Sequence, residues 1–452
     1  MREHTAFLRK SILGTLFVFF LGAMMLHAQR RAGEPVTHVS NTNTASGSTH
    51  VESNSSAQKV YVPQLKGATV QQLKDGRSLQ KRTDGGIREL HDTKHGMDIH
   101  HGLDGGMRVT LERKDHSRLV AEQGRPGYVE RPFTYLGHDF ARRTFYYQGR
   151  TYSNYYRSYR YNGSQVKVYA PSRYYSRVFY GWLFNPWNFV FVFDWDWADE
   201  PWVSFDSGYF APSPTYANAS LWLTDYLLSN ELAVAYEVRR VNGTLPTVAA
   251  AAPSAPAITA EVKQKIANEI KVQIQLENYE SKMIPQEKDL DAGPSSIAHA
   301  YGDGRTHVFV VGYPLDVVDS NGAECALTEG DVVQLSGPPN FNTGSASVAV
   351  LASNGPKDCA KNSTVILGLA DIQEMQNRMR ETIDLGMAEL REKQGKKGFP
   401  VIPAEALGAE TKAKFTEFAP PASPNDQSDI AQQLLQEANK AETEMLAKGT
   451  GK

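Results

Sequence analysis

The rhythm of hydrophobic and polar positions changes several times along this chain. From about 66 to 130, short apolar–polar stretches are cut at regular intervals by "KDGR", "TDGGIREL", "LDGGMRVTL" and "RKDHSRL". Asp-Gly between such stretches is a hairpin signature. "DGGIR" starts at Asp84 and "DGGMR" at Asp104, as two copies of one hairpin-sized unit would. The β rhythm continues through "FYYQGRTY" and "YRYNGSQVKVYAP". In the latter, Asn162-Gly163 marks the strongest turn, because both residues tolerate positive φ. The pattern predicts a β-rich domain over 66–210, a meander or solenoid-like sheet ending in an aromatic strand.

A helical rhythm then takes over. "SLWLTDYLLSNELAVAYEV" carries Leu221, Leu223, Leu227, Leu228, Leu232 and Val234 at broadly helical spacing and predicts a helical segment within 211–243. "TLPTVAAAAPSAPAIT" (244–259) is an Ala/Pro linker. Val262, Ile266, Ile270 and Ile274 stand four apart and predict an amphipathic helix over 260–284. Residues 305–370 return to short Val-rich runs with Gly, Asn and Asp between them, and predict a small β-barrel. An amphipathic helix follows over 371–395, with the stripe Ile372, Met375, Met379, Ile383, Met387 and Leu390. Asp371 and Glu374 suit an Asp variant of the capping box, and Gly395 is a natural stop. The tail, 396–452, contains prolines and ends in a stretch carrying Ile430, Leu434, Ala438, Ala441 and Met445. The fold class expected is mainly β and multi-domain, with several long amphipathic helices.

The N-terminus changes the picture from fold to location. Arg2, Arg9 and Lys10 precede "SILGTLFVFFLGAMML", and Ala28 offers a cleavage point, so 1–28 is expected to be a secretory signal. The apolar run is short for a spanning helix. Residues 29–65 are rich in Ser, Thr, Asn and Gly, the composition of a disordered leader. Export permits a disulfide, and Cys325 and Cys359 are the two cysteines of the chain. Joined, they would close a loop of about 35 residues and stabilise the module by roughly 3–4 kcal/mol in the chain-entropy account. Two buried thiols are the alternative. A formal net charge of −2 argues against nucleic acid as a partner.

That charge is segregated. Residues 131–180 hold nine Lys and Arg against one acid, Asp139, while 178–238 hold eight acids and no Lys or Arg. The two stretches are expected to pack on each other. The acidic one contains "FYGWLFNPWNFVFVFDWDWADEPW", with eleven aromatic residues. Asn185, Pro186, Asn188 and the closing acids exclude a membrane span. Read as a strand, Phe189, Phe191, Phe193, Trp195 and Trp197 share one face, and Val190, Val192, Asp194 and Asp196 the other. The Phe half, apolar on both faces, is expected in the core. The Trp half is expected near the surface, so Trp195, Trp197, Asp194 and Asp196 are the candidate ligand-binding residues. Indole faces take sugar C–H bonds and carboxylates accept sugar hydroxyls.

Other chemistry is thinner. His91, His95, His100 and His101 cluster among acids, but on strands they point apart, and no metal is expected. No HExxH, GxSxG elbow, P-loop or dinucleotide fingerprint occurs, so no cofactor and no catalytic residue is assigned. Asp194, Asp196, Asp199 and Glu200 could supply a carboxylate pair for glycoside hydrolysis, the rival reading.

"LTEGDVVQL", with Asp331 after Gly330, resembles the start of an SH3-like barrel. The series "FYGWLFNPW", "SLWLTDYLL", "ECALTEGDVV" and "DIQEMQNRMRETIDLGMAEL" resembles uncharacterised secreted bacterial envelope proteins over roughly 180 to 400. The resemblance implies a secreted or periplasmic location and this domain order, and no activity. The expectation is a non-catalytic structural or binding protein contacting envelope polysaccharide or another envelope protein, with no transmembrane domain beyond the signal.

Overall fold

A computed structural model describes residues 61–449, apart from Val62, Gln64, Lys74, 148–149, 246–255, 284–292, Pro356, Lys397, 424–425 and 427–428. The expected signal and nearly all of the expected leader lie outside the described residues, as does most of the Ala/Pro linker.

The Asp-Gly punctuation builds a ten-stranded antiparallel meander. Its strands are β1 (Thr69–Gln72), β2 (Ser78–Lys81), β3 (Ile87–Asp92), β4 (Met97–His101), β5 (Met107–Glu112), β6 (Arg118–Glu122), β7 (Gly127–Tyr135), β8 (His138–Tyr147), β9 (Arg150–Tyr161) and β10 (Ser164–Tyr169). They lie side by side in chain order. The two "DGG" copies form the same turn: Asp84 accepts the Gly86 N–H (2.8 Å) and Asp104 the Gly106 N–H (2.9 Å). Gly85 and Gly105, both at φ 86° and 85°, supply the left-handed residue each turn needs. Paired registers line up Leu79, Leu90, Ile99 and Val109 across β2 to β5. That apolar ladder is covered by Ile430, Leu434, Ala438 and Met445 of the C-terminal helix Ile430–Gly449.

After the short strand β11 (Arg173–Tyr174) come the helices α1 (Arg177–Phe184), α2 (Pro201–Phe205), α3 (Ala219–Val241), α4 (Ala260–Met283) and α5 (Ile297–Gly302). A second antiparallel sheet follows, from β12 (Val308–Val310), β13 (Leu315–Asp319), β14 (Glu324–Leu327), β15 (Val332–Leu335), β16 (Ser345–Ala352) and β17 (Thr364–Gly368). Its order is β12-β15-β16-β17-β13-β14. This corrects the expected closed barrel: β12 and β14 end the sheet and do not pair. α4 and α6 (Leu369–Lys393) pack on β12 instead. Cys325 on β14 is bonded to Cys359, tying that edge strand to the loop before β17. The chain ends with β18 (Thr411–Lys412), paired to β11, and the C-terminal helix, α7.

The fold is therefore mixed, with 33% helix and 29% strand, so the expected mainly-β class holds only for its two large antiparallel sheets. The described residues form one compact unit, so the two sheets share a body. A seam of ion pairs joins them. Arg82 binds Asp316 (2.6 Å) and Glu324 (2.8 Å), Arg88 binds Glu324 (2.8 Å), and Arg125 binds Glu329 (2.5 Å).

α6 runs through the middle of this body. Its six stripe residues are at most 3% exposed. Its polar side is buried as well, including Gln373, Gln376, Asn377 and Arg380. The helix starts two residues earlier than expected. Gly368 is the N-cap, and Asp371 reaches back to its N–H as the acidic half of a capping box. Glu374 is drawn away from the cap to Arg143.

Candidate binding surface

The aromatic stretch does not form the expected strand. Ser176 caps α1 by accepting the Phe179 N–H (3.2 Å), and the helix runs to Phe184 before Pro186. Beyond it the chain is extended but almost unladdered. Phe191 and Tyr216 exchange two backbone hydrogen bonds (3.1 and 2.9 Å), and this isolated bridge is the strand character that remains. A strand needs a neighbour along its length, and here the neighbours are side chains from loops and helices.

The alternation of faces survives without the sheet. Phe191, Phe193, Trp195 and Trp197 point inward, each 7% exposed. Trp195 stacks on Trp222 of α3 (5.2 Å, 13°) and on Trp197 (5.0 Å, 27°), and Phe193 meets Phe399 (4.6 Å). Trp195 Nε1 donates to Tyr216 Oη (2.9 Å), which donates to Asp225 (2.8 Å), itself paired with Lys263 (2.7 Å). Burial pushes the Tyr216 hydroxyl well up, and the Asp225 charge adds to the shift. Burial also pulls the Lys263 ammonium down, against the pull of Asp225.

The four candidate ligand residues are thus separated. Trp195 and Trp197 lie in the core, correcting their expected approach to the surface. Asp194 and Asp196 lie outside, and Asp196 meets Lys393 (3.3 Å). The indoles and the carboxylates share no solvent-facing space in which a sugar could touch both. Phe189, expected in the core, is 51% exposed, with Val190 at 59% and Val192 at 71%. Val401, at 72%, belongs to the neighbouring loop, where the Gly398 position lies against Phe191 and the Val192 carbonyl. The surface this segment offers is apolar and lies at its Phe/Val end.

The expected packing of basic on acidic stretch is also redirected. Arg143 lies over the rings of Tyr156 (4.0 Å) and Tyr128 (5.1 Å) and binds Glu130 (2.8 Å) and Glu374 of α6. Arg131 binds Asp426 (2.5 Å). Neither the rings nor the acids these arginines meet belong to the acidic stretch 178–238.

Shifted carboxyls lie deep in the helical layer. Burial raises Glu277 of α4 and Asp384 of α6, which hydrogen-bond each other. Tyr180 donates to Glu277 (2.7 Å), Tyr169 to Asp384 (2.7 Å), and Arg380 to Glu280 (2.7 Å). Burial also pushes Glu231 of α3 up to about 7, against the attraction of Arg378 at 3.0 Å. Two shallow surface depressions among the described residues are not lined by these groups. One lies between α7 and Leu111, Arg113 and Leu119; the other lies by Phe184, Lys271 and Arg305.

Each clustered histidine has a carboxylate of its own: His91 with Asp98, His95 with Asp92 (2.6 Å), His100 with Glu89 (2.7 Å) and His101 with Glu442 (3.0 Å). Among the described residues no group of three His, Cys, Asp or Glu could hold a metal ion. No described helix is long and apolar enough to cross a membrane. No protein-family model, no curated protein and no solved structure matches this chain.

Sequence reasoning missed the buried polar layer. The signal was present: Glu269, Gln273, Glu277 and Glu280 on α4, and Gln373, Asn377, Arg380 and Asp384 on α6, recur at helical spacing. Such stripes read as solvated faces until they are seen to oppose each other.

Proposed function

We propose that this is a secreted or cell-envelope protein with a structural or binding role and no catalytic one, contacting envelope polysaccharide or another envelope protein. The observation that supports it is a division of chemistry. Glu277 and Asp384, whose carboxyls burial raises, are sealed inside the helical layer, while the segment richest in aromatics turns an apolar side to solvent. A catalytic carboxyl must reach its substrate's proton directly or through one water. The hydrolase reading draws no support from Asp194 and Asp196, which face solvent while the indoles of Trp195 and Trp197 are buried. The apolar N-terminal run, the resemblance to secreted envelope proteins and the Cys325–Cys359 bond all favour an exported chain.

The test has two arms. Expressed in a bacterial host, the chain should fractionate outside the cytoplasm and carry no titratable thiol when unfolded without reductant. Incubated with peptidoglycan and with soluble glycans, it should release no reducing ends. Cytoplasmic recovery with two free thiols defeats the location, and steady release of reducing ends defeats the non-catalytic role.

A further inference from the structure

The ion pair linked to Trp195 through Tyr216 is both deep and asymmetric. Lys263, in the first turn of α4, is the one buried lysine among the described residues. Its Nζ lies 2.7 Å from Oδ1 of Asp225 on α3, a fully buried carboxylate, and 4.8 Å from the centre of the Phe210 ring. Two charges this far from water are costly to hold, and moving one proton from the ammonium to the carboxylate removes both at once. Burial already pulls the ammonium in that direction, against the attraction of Asp225. A lysine amine without its proton, in apolar surroundings, is a nucleophile.

The two oxygens of Asp225 are held differently. Oδ2 accepts from the Ser213 N–H (2.5 Å) and from Tyr216 Oη (2.8 Å), a hydroxyl that Trp195 Nε1 orients (2.9 Å). Oδ1 has no partner but Lys263. The amine's other contacts are the Ala211 carbonyl and Ser213 Oγ (3.4 Å). One oxygen is thus fixed by two donors, as an acyl oxygen is in an oxyanion hole, and the other meets only the group that would displace it. We propose that Lys263 and Asp225 condense to an isopeptide bond, a covalent tie between α3 and α4.

The ammonium gives one proton to Oδ1, and the neutral amine attacks Cγ. Contact between the two groups makes this an intramolecular step with little motion to lose. Negative charge develops on Oδ2, where the Ser213 N–H and Tyr216 Oη receive it. Nζ then passes a second proton to Oδ1, the Cγ–Oδ1 bond breaks, and Oδ1 leaves as water. No oxidant, reductant or co-reactant is consumed. The amide keeps one N–H, which still serves the Ala211 carbonyl. The tie closes the stretch 225–263, which contains the Ala/Pro linker 244–259, so α3 and α4 stay joined even when the linker is cut. The Cys325–Cys359 bond lies wholly beyond the linker and cannot do this.

The experiment weighs the folded, oxidised full chain by mass spectrometry and then digests it with trypsin. The protein should be one water lighter than its sequence requires with the disulfide formed. Peptides 178–239 and 241–265 should run as one joined species, because a condensed Lys263 no longer offers a cleavage site. Lys263→Arg keeps a cation opposite Asp225 but has no condensable amine, and should show the full mass and separate peptides. A parent protein of full mass with the two peptides apart overturns the proposal and leaves an ion pair only. Loss of water within an Asp-Gly pair such as Asp84-Gly85, the ordinary place for succinimide formation, also overturns it. The parent protein alone gives the decisive reading, whether or not Lys263→Arg folds.

Discussion

Trp195 shows how far a single residue can be read. Alternation along "FVFVFDWDW" correctly groups it with Phe191, Phe193 and Trp197, because an extended backbone turns every second side chain to one side. What alternation cannot supply is depth. Trp195 is buried because Trp222, Tyr216 and Trp197 arrive from elsewhere in the chain, and Phe189 is exposed because nothing does. The acids at 194 and 196 suggested a surface end, and they are at the surface, but they hang outside a segment whose other side is core. Trp195→Ala should therefore destabilise the protein by about 3–5 kcal/mol, the usual cost of emptying a large buried aromatic site. Urea unfolding checks this. Intrinsic fluorescence of the parent should not respond to any glycan through this indole; a response abolished by Trp195→Ala in a protein of unchanged stability would restore the sugar-stacking reading.

At the scale of elements, helices were more legible than their surroundings. The four-residue spacing on α4 and the Met/Ile stripe on α6 mark genuine core positions, because an amphipathic helix carries its own periodicity. The polar sides were not legible, since a stripe facing water and one facing another polar stripe have the same composition. Asn377 illustrates the difference. β10 is the last strand of the meander, and its outer edge would leave backbone groups unpaired. Asn377 meets that edge as a further strand would: its Oδ1 accepts the Tyr169 N–H (2.8 Å) and its Nδ2 donates to the Lys167 carbonyl (2.6 Å). Asn377→Ala should leave both groups unsatisfied, costing about 1–3 kcal/mol for each. Amide exchange should accelerate at Tyr169 ahead of β7 and β8. Unchanged protection at Tyr169 would mean that α6 is held to the sheet by its apolar stripe alone.

At the scale of the whole molecule, the seam between the two sheets decides how they behave as one body, and pH is the means to probe it. His100 of the meander binds Glu89 (2.7 Å) and, across the seam, Asp316 of the second sheet (3.2 Å). Asp316 also accepts the Leu103 N–H (3.0 Å) and a charge-assisted bond from Arg82 (2.6 Å). Burial alone would lower the histidine's pKa, but the two carboxylates outweigh it and push His100 up to about 9. Asp316 is held below its ordinary value by His100, Leu103 and Arg82, which together overcome its own burial. A histidine raised in the folded state binds its proton more tightly there than when unfolded. Its contribution is therefore complete below the unfolded value of about 6.5 and is lost as pH rises through the folded value. The shift corresponds to about 3 kcal/mol, and partial exposure of the ring reduces this to about 2 kcal/mol. Asp316 works in the opposite direction, contributing above the unfolded carboxylate value and losing its share only in acid. Stability measured by urea unfolding should thus decline between about pH 7 and pH 10, and His100→Gln should make that decline shallower. What remains is the share of His307, where burial is again outweighed, by Glu269 and Asp303, and the pKa is pushed up to about 9. The bonds of Arg82 and Arg88 to Glu324 do not involve His100, so the seam weakens without parting and the decline should stay gradual. The same alkaline slope in His100→Gln as in the parent would show that the titration weakening the protein lies elsewhere.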